Sequence, residues 1–378
     1  MKVAVTTLAV CVTSLLALGL VMLYSSSMTQ VGAHYLMMQL IWCAFGFGLC
    51  VTAASLDYQV FKKSAWPILG LAVILLVLVL VPHVGRKING ARRWFDFHGV
   101  RFQPSELGKI ALIIALAWYG DRFQRKMHTF KWGVLFPVIL IATLLGLIFV
   151  EPDRGTTILL AAVSGSMLLL AGVQWKFIVP PIVLAAAGLT VSILHDPMRM
   201  KRIFSWLDVE ANKDGVGYQA YQAKIALGAG GLYGLGLGNG RQKLGFVPEH
   251  HTDFIFSIIG EELGLIATLL VIVAFVILVL CGIYIALRAA DTFGTLLAAG
   301  VTLLIGLQAA INIGVVTSAL PNKGLPLPFI SYGGSNLLAM LTCVGILFSV
   351  ARRANPEKIP VSDFVADDNR NPFAAKAT

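Results

Sequence analysis

Apolar runs of about 18 to 25 residues recur along the whole chain, separated by short polar breaks, a length suited to crossing a bilayer as a helix. They predict spans near residues 3–24, 36–55, 65–82, 106–120, 132–150, 156–173, 177–194, 254–286, 293–319 and 334–351. The expected fold class is an all-α integral membrane protein of about ten transmembrane helices. Residues 1–353 form one polytopic domain, with a large extracytoplasmic loop of about 195–252 between helices 7 and 8. The polar tail 354–378, with Asn-Pro twice nearby, reads as disordered. The first run starts at residue 3 behind a single lysine and lacks a small-residue cleavage site, so it reads as a retained span.

Composition agrees: 57% of residues are hydrophobic, 13% are charged, and mean hydropathy is +0.82. The five cysteines, Cys11, Cys43, Cys50, Cys281 and Cys343, all fall inside spans without metal-ligand spacing, so they read as small apolar residues. Lys and Arg in the short loops set orientation. An even number of spans puts both ends on one side, and that side collects Lys2, Lys62-Lys63, the Arg122–Lys131 cluster, Lys176, Arg288 and Arg352-Arg353. Both termini are therefore expected in the cytoplasm. Two outer loops break the pattern: 83–105 carries five Lys and Arg residues, and 195–252 carries seven. Long loops translocate regardless of charge, which accounts for the second and not the first. Basic clusters on the outer face suggest an anionic ligand, with a lipid phosphate the natural one there and nucleic acid a poor alternative.

Asp253 stands where the large loop turns into the eighth apolar run. A carboxylate at a membrane boundary is costly and usually functional, although Thr252 or Asp253 also suits a helix N-cap. In GARRWF, Arg93 suits a bidentate phosphate clamp and Trp94 an interfacial or sugar-stacking ring; the blander alternative is an anchor tryptophan with a snorkelling arginine. Glu106 and Lys109 lie three apart on one helical face and can pair inside the bundle, as a structural ion pair or as a site wall. Glu151 and Asp153 of EPDRGTT fit helix caps. The Gly-rich stretch 217–246 reads as a re-entrant or interface-lying segment lining a cavity, with Gln219 and Gln222 as polar contacts, and carries no nucleotide signal because no βαβ context surrounds it. The last outer loop, 320–336, is rich in Pro and Gly, and such backbone beside a membrane must be buried in protein or line a water-filled cavity.

Together GARRWF, QPSELGK, EPDRGTT, PEHHTDFIFSIIGEELG and KGLPLPFISYGGSN, in this order, resemble the SEDS family of bacterial shape, elongation, division and sporulation membrane proteins. The division (FtsW-like) branch is the nearer match and the rod-elongation (RodA-like) branch the alternative; Ala223, Arg154 and Asn322 depart from the family's usual residues. The resemblance implies a ten-helix fold and polymerisation of peptidoglycan glycan strands from lipid II, with an undecaprenyl pyrophosphate leaving group. It makes Asp253 the catalytic residue and assigns roles to Arg93, Trp94, Glu106 and Lys109. Gln222, Lys243, His251, Thr252, Lys323, Pro328, Ser331, Gly333 and Ser335 are the remaining candidates for contact with substrate.

The implied chemistry needs one base for the acceptor 4-hydroxyl and cations on the pyrophosphate, rather than the paired carboxylates of a glycosidase. A divalent cation, Mg or Mn, can share that charge, although no dedicated ligand cluster is visible. The implied partners are lipid II, the growing strand, a class B penicillin-binding protein with transpeptidase activity, other divisome membrane proteins and membrane lipids. The implied location is the bacterial inner membrane, at the septum. Two other classes stay open: a lipid II flippase, which needs charges along a cavity reaching the cytoplasm, and a non-catalytic divisome scaffold, which tolerates loss of Asp253.

Overall fold

Each of the ten apolar runs becomes a helix in the computed structural model, which describes residues 1–27, 32, 34–88, 91–97, 100–213, 215, 217–246 and 251–354. The tail reading falls beyond Ala354, outside the described residues, as do Pro248, Glu249 and His250. The described helices are α1 (Lys2–Ser27), α2 (His34–Ser55), α3 (Tyr58–Lys63), α4 (Ala65–Leu80), α5 (Pro104–Arg122), α6 (Phe136–Val150), α7 (Arg154–Leu170), α8 (Trp175–Leu194), α9 (Pro197–Leu207), α10 (Tyr218–Gly230), α11 (Ile255–Leu287), α12 (Thr292–Val316) and α13 (Gly334–Arg352). All except α3, α9 and α10 correspond to predicted spans. The fourth span extends at both ends, because Pro104 is well suited to a first helical turn, where its missing N–H is not needed. A π-helical turn over Lys131–Leu135 leads into α6.

The 83–105 loop differs from a purely helical expectation. It folds as a three-stranded antiparallel sheet, β1 (Arg86–Ile88), β2 (Ala91–Phe97) and β3 (Val100–Phe102), in that order. Asp96 sits opposite Arg101 in the register and takes ion pairs from Arg86 and Arg101, so one carboxylate offsets part of the loop's positive charge. The large 195–252 loop holds α9, α10 and a 3-10 turn over Gln242–Leu244.

Side-chain ties define the two ends of the bundle. At the terminal end, Tyr58 and Gln59 donate to Asp291 at 3.0 and 2.7 Å, Lys62 pairs with Asp121 at 2.7 Å, and Arg352 donates to the Ser55 and Leu56 carbonyls that finish α2. At the sheet-bearing end lie the 151–153 turn, the large loop and residues 317–333. Helices α5, α12 and α13 are buried over most of their surface, whereas α8 leaves nearly all of its own open.

Helix α11 is broken. Gly264 adopts φ 78°, ψ −174°, a conformation no helix contains and only glycine adopts without strain. The break costs the helix the bonds from Leu265 N to Glu261 O and from Ile266 N to Glu262 O. All four groups bond instead to the turn segment 231–236: Leu265 N to Gly231 O (2.9 Å), Ile266 N to Leu232 O (3.3 Å), Leu235 N to Glu261 O (3.0 Å) and Gly236 N to Glu262 O (2.9 Å). Irregular backbone beside a bilayer persists when its polar groups are satisfied in this way.

Candidate functional site

The peptide leading into α11 is held carbonyl by carbonyl. His251 O accepts from Tyr332 N at 2.9 Å, Thr252 O from the Ser331 hydroxyl at 2.6 Å, and Asp253 O from Asn312 Nδ2 at 2.8 Å. The same Asn312 amide donates to Leu325 O at 2.7 Å, so one α12 side chain joins Asp253 to the last loop. The His251 ring stacks on Tyr35 with centroids 4.7 Å apart. The N-cap position of α11 is Phe254, without a side-chain cap bond, so neither Thr252 nor Asp253 occupies it. The half-buried Asp253 carboxylate faces Gly324, where any β-carbon would come within 2.7 Å of Oδ2. Lys323 and Gly324 of the last loop thus lie against the approach to that carboxylate.

That loop is rigid by construction. Ser331 accepts from Leu327 N at 2.8 Å while it donates to Thr252 O, Gly333 N reaches Gln39 at 3.4 Å, and Pro328 is buried within the bend. Ser335 accepts from Gln103 N at 3.0 Å and donates to Arg101 O at 3.2 Å, fastening α13 to β3 and the start of α5. These serines hold backbone in place.

Beneath the loop lies a buried polar chain. Lys109 Nζ pairs with Glu106 Oε2 at 2.7 Å and donates to Gln308 Oε1 at 3.1 Å. Gln308 Nε2 donates to Pro326 O and to Asn336 Oδ1, each at 2.9 Å. Gln308 and Asn312 stand one helical turn apart on α12, so one face of that helix connects the Glu106–Lys109 pair, the last loop and Asp253. A second buried group lies nearby, where Gln103 Nε2 donates to Ser105 at 2.8 Å and to Asp153 at 3.1 Å. Asp153 caps α7, accepting from Thr156 N at 3.2 Å. Glu151, expected as a cap, is fully buried in the turn, and neither carboxylate oxygen has a hydrogen-bond partner among the described residues. Burial, with the Asp153 charge adding to it and Arg93 opposing, pushes its carboxyl up to about 8.

The expected cations divide. Arg93 donates to the Glu151 carbonyl at 2.8 Å and the Pro152 carbonyl at 2.6 Å, strapping β2 to the 151–153 turn. Lys109 is fully buried in its pair, and Lys243 is 2% exposed, paired with Glu262 at 2.7 Å. Arg93, Lys109 and Lys243 are therefore each tied to partners within the protein, and Lys323 neighbours Gly324 in the last loop. Trp94 is half-buried on β2 across from Arg86. Gln222 is half-buried on α10, while its neighbour Gln219 accepts from Asn322 of the last loop at 3.1 Å. No cluster of three or more His, Cys, Asp or Glu among the described residues is arranged to hold a metal ion.

A family profile described as FTSW_RODA_SPOVE, cell cycle protein, matches residues 6–356. The chain belongs to this family. The family member is similar to the probable peptidoglycan glycosyltransferase FtsW of Trichlorobacter lovleyi, 43% identical over 346 residues, which cover 90% of this chain and 91% of that one. It is 41% identical over 352 residues to the corresponding protein of Coxiella burnetii, covering 90% and 94%. Among solved structures, it matches a chain of a peptidoglycan synthase complex that coordinates polymerization and crosslinking, with TM-score 0.79, 28% identity and coverage of 91% and 96%. It also matches the rod shape determining protein RodA of Thermus thermophilus, with TM-score 0.69, 27% identity and coverage of 92% and 97%. As a member of this family it is a multi-pass membrane protein.

The residues not apparent from sequence are Gln308, Asn312 and Gln103. For Gln308 and Asn312 the signal is an amide deep in an apolar helix, where it must find a partner; Gln103, just ahead of α5, carries no such signal.

Proposed function

We propose that the chain polymerises peptidoglycan glycan strands from lipid II at the outer face of the cytoplasmic membrane, with Asp253 as general base. The reading rests on its FtsW relatives and on one observation above all: three consecutive backbone carbonyls, 251 to 253, are each tied to α12 or the last loop, which fixes the backbone that presents the Asp253 carboxylate to Gly324. A base works when its geometry is set in advance. Asp253 takes the proton from the acceptor sugar's 4-hydroxyl, whose oxygen attacks the anomeric carbon of the donor. The bond from that carbon to the pyrophosphate oxygen breaks, and undecaprenyl pyrophosphate leaves. A single displacement of this kind inverts an α-linked donor to a β-linked product. Lys323 is the cation best situated to face the departing charge. Glu106, Lys109, Gln308 and Asn336 form a wall that positions the loop. In this orientation the sheet-bearing end is outside and both termini are cytoplasmic.

The division branch is favoured by the FtsW relatives, which suggests action at the septum. Assembly with a class B penicillin-binding protein is supported by the likeness to a chain from a synthase complex. The test is polymerisation of purified lipid II by the purified chain with its transpeptidase partner. Long strands are expected from the natural sequence and none from Asp253→Asn. Strand synthesis by Asp253→Asn at the natural rate removes Asp253 as the base; lipid II crossing vesicles without polymer favours a flippase.

A further inference from the structure

The large loop does something at the α11 break that the proposed chemistry leaves unexplained. Segment 231–236 fills the break, and the side chains around it lock it there. Glu262 Oε1 accepts from Lys243 Nζ at 2.7 Å. Glu262 Oε2 accepts from the Ser25 hydroxyl of α1 at 2.6 Å and from Gly238 N at 3.1 Å. Lys243 Nζ also donates to Ser25 Oγ at 3.0 Å. Glu261 Oε1 accepts from Arg241 N at 2.8 Å and from Gln242 N at 3.3 Å. Glu261, Glu262 and Lys243 are all at most 2% exposed. Three parts of the chain, α1, the Gly-rich loop and α11, meet at one knot of buried hydrogen bonds.

The backbone can close in two ways. With segment 231–236 inserted, the four freed groups of α11 are satisfied by the loop. With it withdrawn, Leu265 N and Ile266 N return to Glu261 O and Glu262 O and α11 runs straight. The backbone of α11 is satisfied either way, but withdrawal strips Gly231 O, Leu232 O, Leu235 N and Gly236 N of their partners, so those bonds and the side-chain knot together hold the break. Straightening at Gly264 would swing the first segment of α11, residues 255–263, and Asp253 stands at the head of that segment.

We infer that Lys243 and Glu262 are positioning residues for strand synthesis: their buried ion pair, anchored on Ser25, keeps α11 broken and thereby sets where the Asp253 carboxylate stands. Lys243 acts through Glu262 and does not touch substrate. This rests on Asp253 being the base, and the experiment separates the two claims.

Natural protein, Lys243→Met, Lys243→Arg, Glu262→Gln and Asp253→Asn are each purified with the transpeptidase partner. For each, kcat and KM are measured on lipid II, together with thermal unfolding in detergent. Spin labels carried by unnatural amino acids at the exposed positions Tyr233 and Leu270 report the distance from the inserted segment to the lower part of α11. Lys243→Met is expected to lower kcat at least tenfold with KM within about twofold, and to shift the label distance to longer values while unfolding stays cooperative. Lys243→Arg should recover most of both. If Lys243→Met does not fold, Glu262→Gln, nearly the same shape without the charge, carries the same expectation. A Lys243→Met protein with natural kcat overturns the inference, as does a loss of rate with unchanged label distance or through KM alone. An active Asp253→Asn overturns the reading beneath it, and shows itself whatever Lys243 does.

Discussion

Among the described residues two lysine–glutamate pairs are buried, and they are built on opposite plans. Lys109 and Glu106 lie on one helix, three residues apart, with Gln308 as an added partner for the ammonium. Lys243 and Glu262 come from a loop and a broken helix, and their anchor, Ser25, is more than two hundred residues away in sequence. The first pair is a property of a helix: once α5 forms, the two groups are neighbours whatever else happens. The second exists only after α1, the Gly-rich loop and α11 have come together. A local pair furnishes a fixed wall. A long-range pair reports on, and holds, an arrangement of parts.

The largest effect should come from halving the local pair. Lys109→Met leaves the Glu106 carboxylate buried without its cation, a change that costs about 3–5 kcal/mol, so thermal unfolding in detergent should drop sharply and strand synthesis should vanish. Removing both charges sharpens the contrast between the pairs. Glu106→Gln with Lys109→Met should recover most of the stability. Lys243→Met with Glu262→Met should recover less, because Ser25 and Gly238 N then lose their acceptor as well. Equal recovery in the two melting curves would erase the distinction.

Asn312→Leu comes next. It removes the donor shared by the Asp253 and Leu325 carbonyls, which should cost about 1–3 kcal/mol and reduce the rate more than the stability. A rate unchanged in Asn312→Leu would mean that the carbonyl ties do not hold the base.

Glu151 is also buried, and it has no lysine partner among the described residues. With a carboxyl raised from 4.5 to about 8, the folded protein keeps a proton that the unfolded chain gives up between those values. Stability therefore falls as pH rises through the window from about 4.5 to about 8, and the loss is complete above it. Melting temperatures from pH 5 to 9 should decline in the natural protein and decline less in Glu151→Gln. A steeper decline in the variant would contradict the burial of a neutral acid.

The smallest effect is expected at the sheet, where Arg86 is largely exposed beside Asp96. Arg86→Ala should change stability by at most about 1 kcal/mol.

The same contrast explains what was legible in the sequence. Ten helices, the Glu106–Lys109 neighbourhood and the motif around Asp253 follow from hydropathy, from helical spacing and from the family resemblance, all readable along the chain. The sheet was hidden because two of its strands have three residues each, too short to show alternation within a basic loop. The α11 break was hidden because its run is apolar on both sides of Gly264; adjacent Glu261 and Glu262 in mid-run are the signal that something other than lipid meets the helix there. Lys243 read as a cation offered to a ligand, because nothing in one dimension shows Ser25 and Glu262 waiting for it. Arg93 was similarly concealed, since its acceptors are backbone carbonyls of a turn that has no side-chain signature.

The break in α11 also divides a length. Helix α11 is 33 residues long, about 50 Å as a straight rod, against a hydrocarbon core of roughly 30 Å. The portion after Gly264 suffices to cross the bilayer by itself, and residues 255–263 add a strut of about 14 Å above it. Asp253 stands two residues before that segment, so the segment's length sets how far its carboxylate lies from the break. The strut works as a ruler. One residue inserted into it would shift the carboxylate by about 1.5 Å and rotate it by about 100°, so the distance from the Gly264 break to the proposed base is written into the chain as a whole number of residues.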